Sequence, residues 1–260
     1  MPMNQLPGNV IWITGASSGI GKALALSIAK NNPDDRVVVS SRSMISLEAN
    51  FKMLPNIYYY SADVADEVAM QQVASQIEST FGRLDRLYVN AGICEYIDAY
   101  PVDLQSVHRV MNTNVIGAIQ TVNVALPLLK QSKAPRIVAI SSQVIFAPFP
   151  RAGLYAASKV AMNAFFESLQ LDLIHEPVEI TLVYPGFVDT PASPDKSFNR
   201  PFMMTAEQAA ERILTGVNQG KARVIFPKRL YWLLKLKHFT RLWESIVVSE
   251  KNKQNNKDFS

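Results

Sequence analysis

The sequence predicts a single α/β domain built on one doubly wound, mostly parallel seven-stranded sheet of the Rossmann type, with helices on both faces. Three observations predict it. Short runs rich in valine and isoleucine, suited to strands buried on both faces, alternate with helical periodicity from Val10 to Phe226. No shift of composition marks a domain boundary along that stretch. The first strand also ends on a glycine-rich turn, Thr14-Gly15-Ala16-Ser17-Ser18-Gly19-Ile20-Gly21, that opens directly into a helix.

The elements follow in order. Val10–Thr14 is an apolar run stopped by Gly15, and Ile20, Leu24 and Ile28 give Ile20–Lys30 its helical period. Arg36–Ser41 and Ile57–Ser61 are the second and third strands, followed by an amphipathic helix over Glu67–Thr80. Leu87–Val89 is the fourth strand and ends at Asn90-Ala91-Gly92. One long helical region spans Leu104–Leu129, then strand Arg136–Ser141, helix Tyr155–Leu173 and strand Glu179–Tyr184. Helix Ala206–Asn218 and the short strand Arg223–Phe226 complete a domain covering residues 1–226. Residues 227–250 form a basic amphipathic helical extension, and the polar tail 251–260 is expected to be disordered.

Bulk composition excludes several classes. A single cysteine, Cys94, rules out an internal disulfide and a cysteine-based metal cluster. His108, His175 and His238 lack ligand spacing, so no metal site is expected. The net charge of +4 rests on late lysines and arginines with no helix-turn-helix, zinc or RNP signature, which argues against nucleic acid. Neither a signal-peptide pattern at the start nor an apolar run of membrane-spanning length is present, and a cytoplasmic location is the expectation.

The chemistry begins at the glycine turn. Gly15, Gly19 and Gly21 let the backbone approach a pyrophosphate, Ser17, Ser18 and Ile20 complete the loop, and the helix N-terminus adds partial positive charge. The spacing differs from G-x-G-x-x-G and lacks the G-K-[ST] ending of an ATP-binding P-loop. Twenty residues beyond Gly21, where a carboxylate would hold a ribose 2′-hydroxyl, stands Ser41-Arg42. A guanidinium there matches a 2′-phosphate, so NADP(H) is expected in preference to NAD(H).

Tyr155 and Lys159 stand four apart at a helix start and share one face. A lysine cation beside a phenol lowers the phenol pKa toward working pH, which is what a proton donor and acceptor needs. Ser142 closes a strand thirteen residues earlier, where substrate lies in such sheets, and its hydroxyl can hydrogen-bond a carbonyl oxygen. Asn114 falls inside a helical region although asparagine is an indifferent helix former, consistent with holding water or backbone near the lysine.

With these residues in this order, the chain resembles the short-chain dehydrogenase/reductase family, in its compact branch, over almost all of Val10 to Phe226. Further carriers are Asp63-Val64, Asn90-Ala91-Gly92 and Tyr184-Pro185-Gly186-Phe187-Val188-Asp189-Thr190. The resemblance implies that Tyr155 exchanges the substrate proton, Ser142 polarises the substrate oxygen, and Lys159 tunes Tyr155 and holds the nicotinamide ribose. It implies that Asn114 supports a relay water and that Asp63 and Val64 flank adenine. Asn90, Ala91 and Gly92 would line the cofactor cleft, with Pro185, Gly186, Val188 and Thr190 at the nicotinamide end. It also implies a dimer or tetramer, and a mobile substrate lid over Phe187 to Met204. Tyrosine and lysine stand too close for an enoyl reductase, so a ketone/secondary alcohol couple fits better than C=C reduction.

Phe149 and Phe187 are the substrate-pocket candidates, and the apolar content around them favours a hydrophobic or acyl-type small molecule. Cys94 reads as a buried inert thiol near the cleft. Trp232, Leu236, Phe239, Trp243 and Ile246 recur at helical steps beside Arg229, Lys235, Lys237, His238 and Arg241. That stripe fits an anionic membrane surface, and fits a packing or oligomer interface slightly better. The alternative to an oxidoreductase is a non-catalytic dinucleotide-binding sensor or scaffold. Retention of Asn114, Ser142, Tyr155 and Lys159 argues for the enzyme.

Overall fold

Seven parallel strands hydrogen-bond in the order β3-β2-β1-β4-β5-β6-β7, as a doubly wound sheet requires. They are β1 (Val10–Thr14), β2 (Arg36–Ser41), β3 (Ile57–Ser61), β4 (Arg86–Val89), β5 (Arg136–Ile140), β6 (Glu179–Pro185) and β7 (Arg223–Phe226). The computed structural model describes residues 8–97, 99–191 and 200–235. Every strand expected from the sequence is present, with bounds shifted by a residue at most.

Helices α1 (Gly19–Asn31), α2 (Met44–Phe51) and α7 (Ala206–Asn218) cover one face. Helices α3 (Glu67–Phe81), α5 (Gly117–Leu129) and α6 (Gly153–Asp172) cover the other. Alternate strand residues feed the two cores: Trp12, Val38 and Leu87 point to one, Ile11, Ile13, Val37 and Tyr88 to the other. The strand order reverses between β1 and β4, which opens a crevice at their carboxyl ends and locates the site.

Three features depart from the sequence expectation. No helix was expected over Met44–Phe51, where Leu47 and Phe51 are the only buried residues and leave too short a period to read. The long region Leu104–Leu129 is divided: α4 (Leu104–Met111), a π turn over Asn112–Ile116, then α5. The C-terminal helix α8 (Lys228–Lys235) buries Leu230 and Leu234 against Ala147, Phe146, Phe149 and Phe187, and leaves Trp232, the first residue of the apolar stripe, 65% exposed. The rest of that stripe, the centre of the expected lid and the tail 251–260 lie outside the described residues.

Asp85, just before β4, ties four segments together. Its carboxylate accepts from the Val10 amide at 2.7 Å, the Ser132 hydroxyl at 2.5 Å and Arg83 Nε at 3.0 Å, while its carbonyl accepts from the Arg136 amide at 3.0 Å. Replacing Asp85 with Ala leaves the Val10 amide without its acceptor and removes the carboxylate partner of half-buried Arg83. The expected loss is about 3–5 kcal/mol, read as a lower urea midpoint at unchanged m-value.

Candidate active site

The glycine turn is built for close approach. Gly15 and Gly19 hold φ of +66° and +55°, in the left-handed region that glycine enters without strain. A Cβ at Gly15 would stand 2.6 Å from Ala91 Cα, and one at Gly21 would stand 2.5 Å from Asn90 Nδ2. Asn90 fixes the other wall, with Nδ2 donating to the carbonyls of Thr14 at 2.9 Å and Gly15 at 3.1 Å. The amides of Asn90 and Ala91 both donate to Thr14 Oγ1, at 3.1 and 3.2 Å. Ser18 occupies the N-cap of α1 without a side-chain cap bond, leaving first-turn amides for an anion.

The remaining cofactor candidates surround this turn. Thr190 closes over it, since a Cβ at Gly19 would lie 3.0 Å from Thr190 Cγ2. Val188 is buried and pairs with Met204, and Gly186 packs under Leu230 and Pro227. Ser41 is buried at the end of β2, while Arg42 is exposed and forms no ion pair among the described residues. Asp63 accepts from the Ala65 amide at 3.0 Å, and Val64 packs into the place where Gly117 has no side chain.

The catalytic candidates meet beyond β5. Ser142 caps a short 3-10 turn over Gln143–Phe146 and accepts from the Val144 amide at 3.2 Å. Tyr155 and Lys159 lie on the first turns of α6, with the Ser142 hydroxyl close enough to Tyr155 to favour its phenolate. Lys159 is 4% exposed; its Nζ donates to the Ile140 carbonyl at 2.8 Å and lies 5.9 Å from the Tyr155 ring centroid. Asn114, fully buried in the π turn, accepts from the Ile93 amide at 2.8 Å. Its Nδ2 donates to the Ile93 carbonyl and to Ser158 Oγ, both at 2.9 Å. The π turn widens the helix where Asn114 must reach across to residue 93, a use of such turns common at functional sites. A Cβ at Gly92 would stand 3.2 Å from Asn114 Oδ1 and 3.5 Å from Lys159 Nζ, so glycine keeps the space between them open.

The electrostatics refine the sequence expectation. Burial pushes the Tyr155 phenol above its ordinary value, the nearby Cys94 adds to the rise, and the Ser142 hydrogen bond opposes it. The expected lowering of the Tyr155 phenol by Lys159 is therefore not met: burial outweighs it, and Ser142 is the neighbour that favours phenolate. Burial lowers the Lys159 ammonium to about 8. Between about 8 and the ordinary 10.5 an unfolded chain therefore holds a proton that the folded one has released. Stability contributed by this group rises with pH across that window, and below it the fold carries the full desolvation penalty. Urea unfolding of the cofactor-free protein is expected to show wild type gaining on Lys159→Met between these limits, by up to about 3 kcal/mol.

Cys94 is half-buried, not fully buried as expected, and lies near Tyr155 and Lys159. Burial raises its thiol to about 11, which makes it a poor nucleophile there. Phe149 and Phe187 meet edge to face at 6.0 Å, backed by α8. Sequence reasoning missed Ser158, whose hydroxyl donates to the Tyr155 carbonyl at 2.7 Å and joins Asn114 to α6. Its place beside Lys159, three residues after Tyr155, was the available signal. No cluster of histidine, cysteine, aspartate or glutamate able to hold a metal occurs among the described residues.

The short chain dehydrogenase family model matches residues 9–200. An uncharacterized oxidoreductase of Myxococcus xanthus is 32% identical over 232 residues, covering 88% of this chain and 91% of the relative. An 11-beta-hydroxysteroid dehydrogenase-like protein 4A of Arabidopsis thaliana is 33% identical over 244 residues, covering 88% and 81%. A short chain dehydrogenase/reductase from Burkholderia phymatum, solved in complex with NAD, superimposes with a TM-score of 0.81 at 23% identity, covering 94% and 96%. An alcohol dehydrogenase from the archaeon Thermococcus sibiricus, complexed with 5-hydroxy-NADP, gives 0.73 at 22% identity, covering 84% and 95%. Sheet order, glycine cradle and the match over most of the chain agree: this protein belongs to the short-chain dehydrogenase/reductase family of oxidoreductases.

Proposed function

We propose that the chain is an NADP(H)-dependent oxidoreductase acting on a ketone/secondary alcohol couple of a hydrophobic or acyl-type substrate, with Tyr155 as acid/base. The observation that carries this reading is the gathering of Ser142, Tyr155, buried Lys159 and Asn114 at the strand ends, next to an uncapped helix N-terminus. The cradle fits a dinucleotide: the places of missing Cβ atoms and the free first-turn amides suit a pyrophosphate, and exposed Arg42 suits a 2′-phosphate. Residues 1–226 are the catalytic unit in this reading, and 227–250 an appended helix.

A bound nicotinamide dinucleotide supplies or accepts the hydride. The chain's own residues do the rest. Ser142 Oγ donates to the substrate oxygen and polarises it, while Tyr155 Oη delivers the proton that turns the developing alkoxide into an alcohol. Lys159, held against the Ile140 carbonyl, offers its ammonium to the phenolate left behind and its remaining hydrogens to the ribose. Asn114 fixes the Ile93 loop to α6 and borders the open space above Gly92, where a relay water would stand.

Phe149 and Phe187, with the hydroxysteroid dehydrogenase-like relative, support a bulky apolar substrate. No helix among the described residues is long and apolar enough to cross a membrane. In our reading the protein is cytoplasmic and a dimer or tetramer. Any contact with an anionic membrane surface would use exposed Trp232 with Arg229 and Lys228, and vesicle flotation reads it out. The test of function is consumption of NADPH, against NADH, over a panel of aliphatic, aromatic and steroid ketones. Turnover with NADPH at least about tenfold more efficient than with NADH is expected. Cofactor binding with no turnover on any ketone would favour a sensor instead.

A further inference from the structure

At the amino-terminal edge of the sheet, opposite the cofactor cradle, lies a cavity of about 520 Å³ whose rim carries Arg86, Lys133, Arg136, Glu179, Asn218 and Gly220. Three of these residues form one row across three strands. Arg86 and Arg136 are register partners on β4 and β5, and Arg136 and Glu179 are partners on β5 and β6. Arg86 and Arg136 thus set two like charges side by side on neighbouring parallel strands, with one carboxylate, Glu179, in the row.

The charges around the cavity do not balance. Glu179 pairs with Arg136, which also donates to Thr181 Oγ1 at 3.0 Å. Among the described residues Arg86 has only neutral partners, the Asn218 side chain, with Nη1 donating to Oδ1 at 3.2 Å, and the neighbouring Tyr88 hydroxyl. Lys133 has no hydrogen bond or ion pair among the described residues. Two positive charges are therefore left over. Burial, and then the charge of Arg86, pull the Arg136 guanidinium below its ordinary value, in keeping with that excess.

These cations are not consumed as helix caps, although helix carboxyl ends attract positive charge. The last carbonyls of α5 accept from the backbone amides of Lys130, Gln131 and Ser132. Those of α7 accept from the amides of Gln219, Gly220 and Lys221. Gly220 follows α7 with φ of +68°, in the left-handed region that favours glycine.

The geometry points to a second anion site here, taking a small molecule that bears a phosphate dianion. The Arg86 guanidinium and the Lys133 ammonium engage its oxygens, while Arg136, already paired with Glu179, fixes the wall between them. The volume is that of a small-ligand site, and Pro135, Pro177 and Val217 supply apolar wall for the rest of the molecule. This site is independent of the redox reading.

The test is calorimetric titration of inorganic pyrophosphate into the full-length protein at fixed ionic strength, set against sodium chloride. Because pyrophosphate also suits the glycine cradle, the titration is repeated with the cradle saturated by NADP⁺, and NADP⁺ affinity is measured for every variant. Saturable binding is expected with and without NADP⁺. Arg86→Gln and Lys133→Glu should each weaken it by about tenfold or more while NADP⁺ affinity stays within about twofold. Lys133 has no partner to lose, so Lys133→Glu remains informative even if Arg86→Gln folds poorly. Absence of saturable binding in wild type, full retention in Lys133→Glu, or loss of binding when NADP⁺ fills the cradle would each overturn the proposal.

Discussion

Tyr155→Phe is expected to lower kcat/KM for ketone reduction by about 10³-fold, within the 10²–10⁴ range typical of removing a general acid. The substitution removes one oxygen and keeps the ring. The fold contacts made by the Tyr155 backbone, including the bond from Ser158 at 2.7 Å, are untouched. Cofactor affinity should change by no more than a few-fold, so the loss appears in kcat. Steady-state kinetics with the best ketone of the panel, beside fluorescence titration with NADPH, separates the two quantities. A loss smaller than about tenfold would move the acid role elsewhere in the cleft. Cys94, raised to about 11 by burial, is then the neighbouring protic group to examine.

Arg42→Asp is expected to invert the cofactor preference. Arg42 is exposed at the end of β2, and among the described residues no carboxylate competes for its guanidinium. Its removal deletes a charge-assisted bond to a 2′-phosphate, and the new carboxylate repels that phosphate while accepting from a ribose hydroxyl. The NADPH efficiency should fall about 100-fold, with NADH equal to or better than it. Because Arg42 contributes only its carbonyl to the fold, accepting from Ser61 at 3.1 Å, the melting temperature should hold. Unchanged efficiencies with both cofactors would remove Arg42 from the cofactor site.

What the sequence revealed and what it hid have physical causes. The glycine turn, the Tyr155–Lys159 pair and the strands were legible because each depends on residues near one another in the chain. Helix α2 was not, since two buried residues in eight make no period. The π turn at Asn114 was invisible because its cause is tertiary: the side chain must reach the backbone at Ile93. The same is true of Lys159, whose buried partner is the Ile140 carbonyl, and of the tuning of Tyr155 by Ser142. In α8 the large aromatic Trp232 drew the eye, yet Leu230 and Leu234 are the packed face. The row Arg86, Arg136, Glu179 exists only in the register of three strands, so no local pattern announces it.

The central claim is hydride exchange between a nicotinamide and a carbonyl carbon, and isotope transfer tests it most directly. A ketone from the panel is incubated with NADPH carrying deuterium on one or the other face of nicotinamide C4, and the alcohol is examined by mass spectrometry. The account predicts label on the carbinol carbon from one of the two forms only, at a rate that falls about 10³-fold in Tyr155→Phe. Unlabelled alcohol from both forms, or intact NADPH with every ketone, would contradict it.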